Sequence, residues 1–126
     1  MAPPQSVAAR LSRWEEALDA LVPPNNGTSL RIATWNLRAF SGLTKAWTTP
    51  DGASPKRNFT DVHLIAAVVR RFDVVAVQEV RGNLRALRHL VKVLGEDWAF
   101  ILTDVVDLDG SEIGEALLAA SSCGES

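Results

Sequence analysis

No stretch of this 126-residue chain approaches the ~18 consecutive apolar residues that a membrane-spanning helix requires, so no spanning helix is expected. Met1 to Ser6 show no basic segment followed by an apolar one, and on that ground no signal peptide is expected either. The lone cysteine, Cys123, leaves no partner for an internal disulfide, and a cytoplasmic protein is the default expectation. There is no internal repeat and no low-complexity tract. Nucleophilic arrangements of Ser, Cys and His are absent, as is a glycine-rich phosphate loop. His63 and His89 have no carboxylate or cysteine partner at a metal-ligand spacing and read as structural.

What the chain does have is a globular balance. Apolar residues make up 47% and charged residues 22%, which argues against a largely disordered polymer and for one modest core. The net charge of −2 hides an uneven distribution. From Asp104 to Ser126 there are six acids and no Lys or Arg. Positions 1 to 103 carry thirteen basic residues against nine acidic ones, a net of about +4. A mildly basic body suits a polyanionic substrate without requiring one. Three segments follow: an N-terminal helix and linker (1–28), a body (29–105) and a divergent acidic tail (106–126).

Periodicity organises the body. Val7, Leu11, Trp14, Leu18 and Leu21 recur at helical spacing, so Val7 to Val22 reads as an amphipathic helix with Ser6 as its cap, stopped by Pro23-Pro24. Such a helix suits the covering of one sheet face. Leu30 to Asn36 reads as a buried strand, and Arg38 to Asn58, with two glycines and two prolines, as a long loop. Thr60 is placed as the cap of a second helix with Val62, Ile65, Ala66 and Val69 on its apolar face. Asp73 to Gln78 reads as a core strand. Asn83 is expected to cap a third helix with Leu84, Leu87, Leu90, Val91 and Leu94 on one face, ended by Gly95. Trp98 to Thr103 forms a further strand. The central strand–helix–strand passage is a βαβ unit, which requires parallel strands.

Parallel strands set their carboxyl ends on one sheet edge, where α/β proteins tend to bind ligands. Asn36 ends the first strand and Glu79 follows the second, so the topology brings together two residues 43 positions apart. A carboxylate after the apolar run Val74 to Val77 incurs a desolvation penalty that a hard cation relieves. On strand position alone Glu79 reads equally as an edge glutamate paired with Arg81 or solvated. Asn36 can orient a metal-bound water or a phosphate oxygen, or simply turn the chain. Arg38, Lys45, Lys56, Arg57 and Arg81 lie just beyond the strand ends, either as backbone-holding cations or as solvated charges. Trp35 and Trp47 are candidate base-stacking platforms or core anchors.

Two segments carry a resemblance. Ile32-Ala33-Thr34-Trp35-Asn36-Leu37-Arg38-Ala39-Phe40 and Asp73-Val74-Val75-Ala76-Val77-Gln78-Glu79-Val80-Arg81 resemble the two opening motifs of the endonuclease/exonuclease/phosphatase superfamily, in its DNase I-like branch. The resemblance implies the N-terminal portion of a DNase I-like four-layer α/β sandwich, preceded here by an amphipathic helix. It implies Mg2+, or Mn2+, held by Glu79 with help from Asn36, and hydrolysis of phosphodiester bonds by a metal-activated water. Arg38 and Arg81 resemble the family's DNA-contacting arginines, so nucleic acid or another phosphodiester is the implied substrate.

The resemblance covers roughly residues 30 to 104. The family's later motifs, a catalytic histidine, Gly-Asp-x-Asn and Ser-Asp-His, do not occur, and Glu112 and Glu115 match no family role. Three readings follow: a Mg2+-dependent nuclease, a truncated and non-catalytic fragment that needs a complementing C-terminal chain, or an unrelated α/β binding module. The half-sheet that the matching segments supply would expose an apolar face unless something covers it.

Overall fold

The structure, a computed structural model, describes residues 2–23, 29–40, 42–81, 84–106 and 112–120, the side chains of 38–40, 79–81, 102–106 and 112–116 excepted. The elements run α1 (Gln5–Leu21), β1 (Ile32–Phe40), α2 (Phe59–Val69), β2 (Val74–Arg81), α3 (Arg85–Leu94), β3 (Trp98–Val106) and β4 (Glu112–Ala120). The class is α/β: one four-stranded mixed sheet, in the order β1-β2-β4-β3, with helices packed on one face.

β1 and β2 are parallel, as a βαβ unit requires, with Ile32 opposite Val74 and Asn36 opposite Gln78. Asp73 secures the amino ends of the pair. Its carboxylate accepts from the Arg31 amide at 2.8 Å and its own amide donates to the Arg31 carbonyl at 2.8 Å. β1 continues four residues beyond Asn36, which therefore lies within the strand and does not close it. Leu37 is buried there and the pairing resumes at Phe40 with Val80, so the apolar alternation outlasts the segment read as a strand.

β4 is the main departure from the sequence reading. Glu112–Ala120 is antiparallel to both β2 and β3 and sits between them. Its run of Glu, Ala and Leu favours helix on propensity and carries one β-branched residue, Ile113. Pairing on both sides overrides that preference, because strand formation follows packing and burial more than intrinsic tendency. Leu118, fully buried, is the core residue among the described side chains of β4.

The core lies between the sheet and α2 with α3. Leu37, Val75, Val77 and Leu118 from the strands meet Val62, Ile65, Ala66 and Val69 from α2 and Ala86, Leu87, Leu90 and Leu94 from α3. α2 is capped by Asn58 and not Thr60. The Asn58 side chain accepts from the Asp61 amide at 3.1 Å, and the Asp61 carboxylate accepts from the Asn58 amide at 3.0 Å. The Thr60 hydroxyl instead donates to the Trp47 carbonyl at 2.6 Å, which ties the preceding loop to the helix. Gly95 ends α3 with φ of 98°, a conformation other residues rarely adopt. Asn83, the expected cap of α3, lies outside the described residues, as do Pro24 and Cys123.

α1 begins at Gln5 without a side-chain cap. It packs chiefly on α2, as an outer layer. Val7 and Leu18 are buried while Leu21 is 80% exposed, so only part of its apolar stripe is used. Arg71, just after α2, is buried and paired with Glu15 at 3.0 Å and Asp19 at 2.6 Å, and Trp14 donates to the Leu64 carbonyl at 3.0 Å. The opposite sheet face is open: Ile32 and Ile101 are 64% exposed and Leu117 40%. Ile101 pairs with Leu117, and Leu117 with Ala76, so these residues form an apolar row across the sheet. Among the described residues no helix is long and apolar enough to cross a membrane.

Candidate active site at the carboxyl edge of the parallel strands

The two residues singled out in β1 and β2 lie on adjacent parallel strands, toward their carboxyl ends. Asn36 is opposite Gln78, the residue before Glu79. The side chain of Asn36 is on the exposed face, since Ala33, Trp35 and Leu37 alternate toward the helices. The side chains of Arg38, Glu79 and Arg81 lie outside the described residues. Their backbones are in β1 and β2, with Arg81 opposite Ile113 of β4.

The ladder changes register at Glu79 on both sides. Toward β1, three residues (37–39) stand against Glu79 alone between the Asn36–Gln78 and Phe40–Val80 pairs. Toward β4, Gln78 and Glu79 stand against the single residue Glu115 between the Val77–Ala116 and Val80–Gly114 pairs. Two residues against one is a bulge, which bends a strand and re-aims its side chains, and bulges are over-represented beside active sites. Glu115, unassigned from the sequence, is thus brought to the same edge by backbone pairing. Nothing in its local sequence signals this, because the placement depends on a strand that propensity does not foresee.

The cations and aromatics divide. Arg57 donates to the Leu37 carbonyl and so closes the loop against β1. Burial pulls its guanidinium below the usual arginine range, and Asp61 partly counters that effect. Trp47 is buried, edge-on to Phe59 with centroids 5.5 Å apart, so it anchors the loop and is not a stacking platform for bases. Trp35 packs against the core and, with Trp14, Lys56, Arg57, Asp61 and Leu64, lines a cavity of 390 Å3 between α1 and α2. Gly42 permits the loop's return: a Cβ there would lie 2.7 Å from Pro55 Cγ. Thr44 closes the same loop through its amide to the Arg57 carbonyl, 2.8 Å.

Among the described residues no group of three or more His, Cys, Asp and Glu is gathered as a metal cluster. Carboxylate and amide oxygens are the hard donors that magnesium and calcium take, whereas zinc favours nitrogen and sulfur ligands.

No family model and no solved structure matches the chain. Over 72 residues it is 36% identical to deoxyribonuclease-1 of Bos taurus, a stretch that is 56% of this chain and 22% of the bovine protein. The chain is therefore similar to a deoxyribonuclease over little more than half of its own length, and it spans about a fifth of that relative.

Proposed function

We propose that this chain is the metal- and phosphate-positioning part of a Mg2+-dependent phosphodiester hydrolase acting on nucleic acid. One observation carries the reading: Asn36 and Glu79 stand on adjacent parallel strands at an edge where the ladder is bulged at Glu79 on both sides. The partial likeness to a deoxyribonuclease supports it. Glu79 and Asn36 would hold the Mg2+, or Mn2+ in its place, and the bound ion supplies charge stabilisation at the phosphoryl oxygens. Asn36, exposed beside it, presents an amide able to donate to a phosphate oxygen. Arg38 and Arg81 are assigned to the nucleic-acid backbone, where guanidinium forks match phosphate geometry.

The catalytic histidine and the Asp-Asn pair of the resembled family have no counterpart in residues 1–126. The general base is accordingly assigned to a complementing C-terminal chain. The open face with Ile32, Ile101 and Leu117 is where such a chain would find apolar surface to bury.

Two measurements on the purified chain test this. Calorimetric titration with Mg2+ is expected to show binding that Glu79→Ala abolishes; metal affinity identical in both proteins would overturn the assignment. Plasmid nicking at low salt, with Mg2+ or EDTA, then separates a chain active alone from one that needs a complementing chain. No nicking is expected from the chain alone. Nicking that needs both Mg2+ and Glu79 would place the base within these 126 residues and overturn its assignment to a complementing chain.

A further inference from the structure

A strongly cationic concavity lies apart from Asn36. A cavity of about 460 Å3 is lined by Leu43 and Lys45 of the loop after β1, Phe59 at the start of α2, and Arg85, Arg88, His89 and Lys92 of α3. The four α3 residues fall at i, i+3, i+4 and i+7, which places them on one helix face. Lys45, Arg85, Arg88 and Lys92 are all exposed at their side chains, and none of the described lining residues is acidic. Lys45, Arg88 and Lys92, gathered with no carboxylate among the described lining residues, repel one another, and an anion entering the cavity relieves that repulsion.

The floor is built. His89 stacks on Phe59 with centroids 4.5 Å apart and planes 18° from parallel, and Phe59 in turn meets buried Trp47. His89 Nε2 is buried and has no hydrogen-bond partner among the described residues. A buried polar nitrogen without a partner is uncommon.

We infer that the Arg85–Arg88–His89–Lys92 face of α3, with Lys45 opposite, binds the phosphate backbone of a nucleic acid strand as a site separate from the Asn36–Glu79 edge. Length decides between a strand and a single phosphate. From Arg85 to Lys92 the helix rises roughly 10 Å, the axial rise of about three nucleotides of one strand. α3 begins four residues after β2, so the track starts at the sheet edge that carries Glu79 and leads away from it. The inference rests on the nucleic-acid reading proposed above and adds to it a second contact surface that holds the substrate beyond the reacting phosphate.

His89 offers an independent readout. Burial, then His63 of α2, Lys92 of its own helix and Lys45 of the loop hold its imidazole below the usual range, and Arg85 and Arg88 flank the same cavity. A phosphate among these groups opposes all three charge effects, so the ring's titration midpoint must rise on binding.

The test uses the full chain and a labelled 12-base-pair DNA, in EDTA so that metal-dependent binding does not enter. Anisotropy titrations across salt compare the wild type with the exposed-site variant Arg88→Gln/Lys92→Gln, and separately with Lys45→Gln on the loop. Loss of two phosphate contacts is expected to weaken binding about tenfold at low salt and to reduce the log–log salt slope by about 1.8. Lys45→Gln is expected to reduce the slope by about 0.9, which keeps the test sound should the double variant fold poorly. NMR of the His89 ring is expected to show the upward shift with the DNA and a smaller one with inorganic phosphate. Equal affinity and slope in all three proteins, or no binding by the wild type, overturns the inference, and an equal response to inorganic phosphate reassigns the cavity to a small anion. Glu79→Ala, run alongside for Mg2+ binding and nicking, tests the Asn36–Glu79 edge by readouts that the Lys45 and Arg88/Lys92 variants do not share.

Discussion

His89 shows how a single side chain can carry a measurable consequence of its surroundings. Its ring stacks on Phe59, and burial, then His63, Lys92 and Lys45, disfavour the imidazolium. A histidine whose folded-state affinity for protons is lowered binds fewer protons than it does in the unfolded chain. Stability therefore rises with pH across the window between the two values. The contribution is fully present above about pH 6.5, the unfolded value, and is lost as pH falls toward the lower folded one. Thermal melts of the wild type at steps between pH 7.5 and 5 are expected to show a falling Tm, and His89→Gln is expected to flatten that part of the curve. An unchanged slope in the variant would assign the acid sensitivity to other groups. At the same scale, Trp47 is an anchor because of burial and Arg57 a loop tie because of its bond to the Leu37 carbonyl. Residue type alone leaves both open as nucleic-acid contacts.

Among the elements, α2 organises the most. It links the parallel strands, supplies Val62, Ile65, Ala66 and Val69 to the core, and receives α1 on its outer side. Its N-terminus is joined to the long loop by Asn58, which caps Asp61 and also donates to the Thr49 hydroxyl at 3.0 Å. Asn58→Ala removes the cap and the tie together. Chemical denaturation is expected to show a loss of about 1–2 kcal/mol, at the upper end for a cap because the loop bond goes with it. Because Phe59 follows directly, the same change is expected to disturb the His89 stack. A loss under about 0.5 kcal/mol would mean that water replaces both contacts. β4 is the element that reshapes the sheet. It separates β2 from β3, makes the sheet mixed, and sets Glu115 opposite the bulge at Gln78 and Glu79.

The whole molecule is a sheet with helices on one face and apolar residues on the other. Ile32, Ile101 and Leu117 are each at least 40% exposed, on strands whose opposite faces hold the core. Exposed apolar surface of this kind binds hydrophobic dyes and drives association. Ile32→Thr/Ile101→Thr is expected to reduce dye fluorescence and light scattering at high concentration while leaving Tm within a few degrees. A fall in Tm comparable to that of a core substitution would mean that the face is covered in solution, by a second copy or by residues of this chain.

Much of this was legible from residue pattern because burial imposes periodicity. The apolar faces of α2 and α3, the stop at Gly95 and the parallel pairing of β1 with β2 all follow from local spacing and the demands of a βαβ unit. The meeting of Asn36 with the Glu79 segment follows from the same logic, since parallel strands share an edge wherever their residues lie in sequence. The N-terminal caps were less legible, because Ser6, Asn58 and Thr60 all have the chemistry to cap and only the path of the preceding loop selects among them. Tertiary structure alone decided the place of Glu112–Ala120: a segment of helix-forming residues and acids becomes a central strand because hydrogen-bonding edges on both sides outweigh its propensity. Tertiary structure likewise gathered Lys45, Phe59 and the α3 cations around one cavity, because charges separated along the chain reveal their common field only when the core has packed them together.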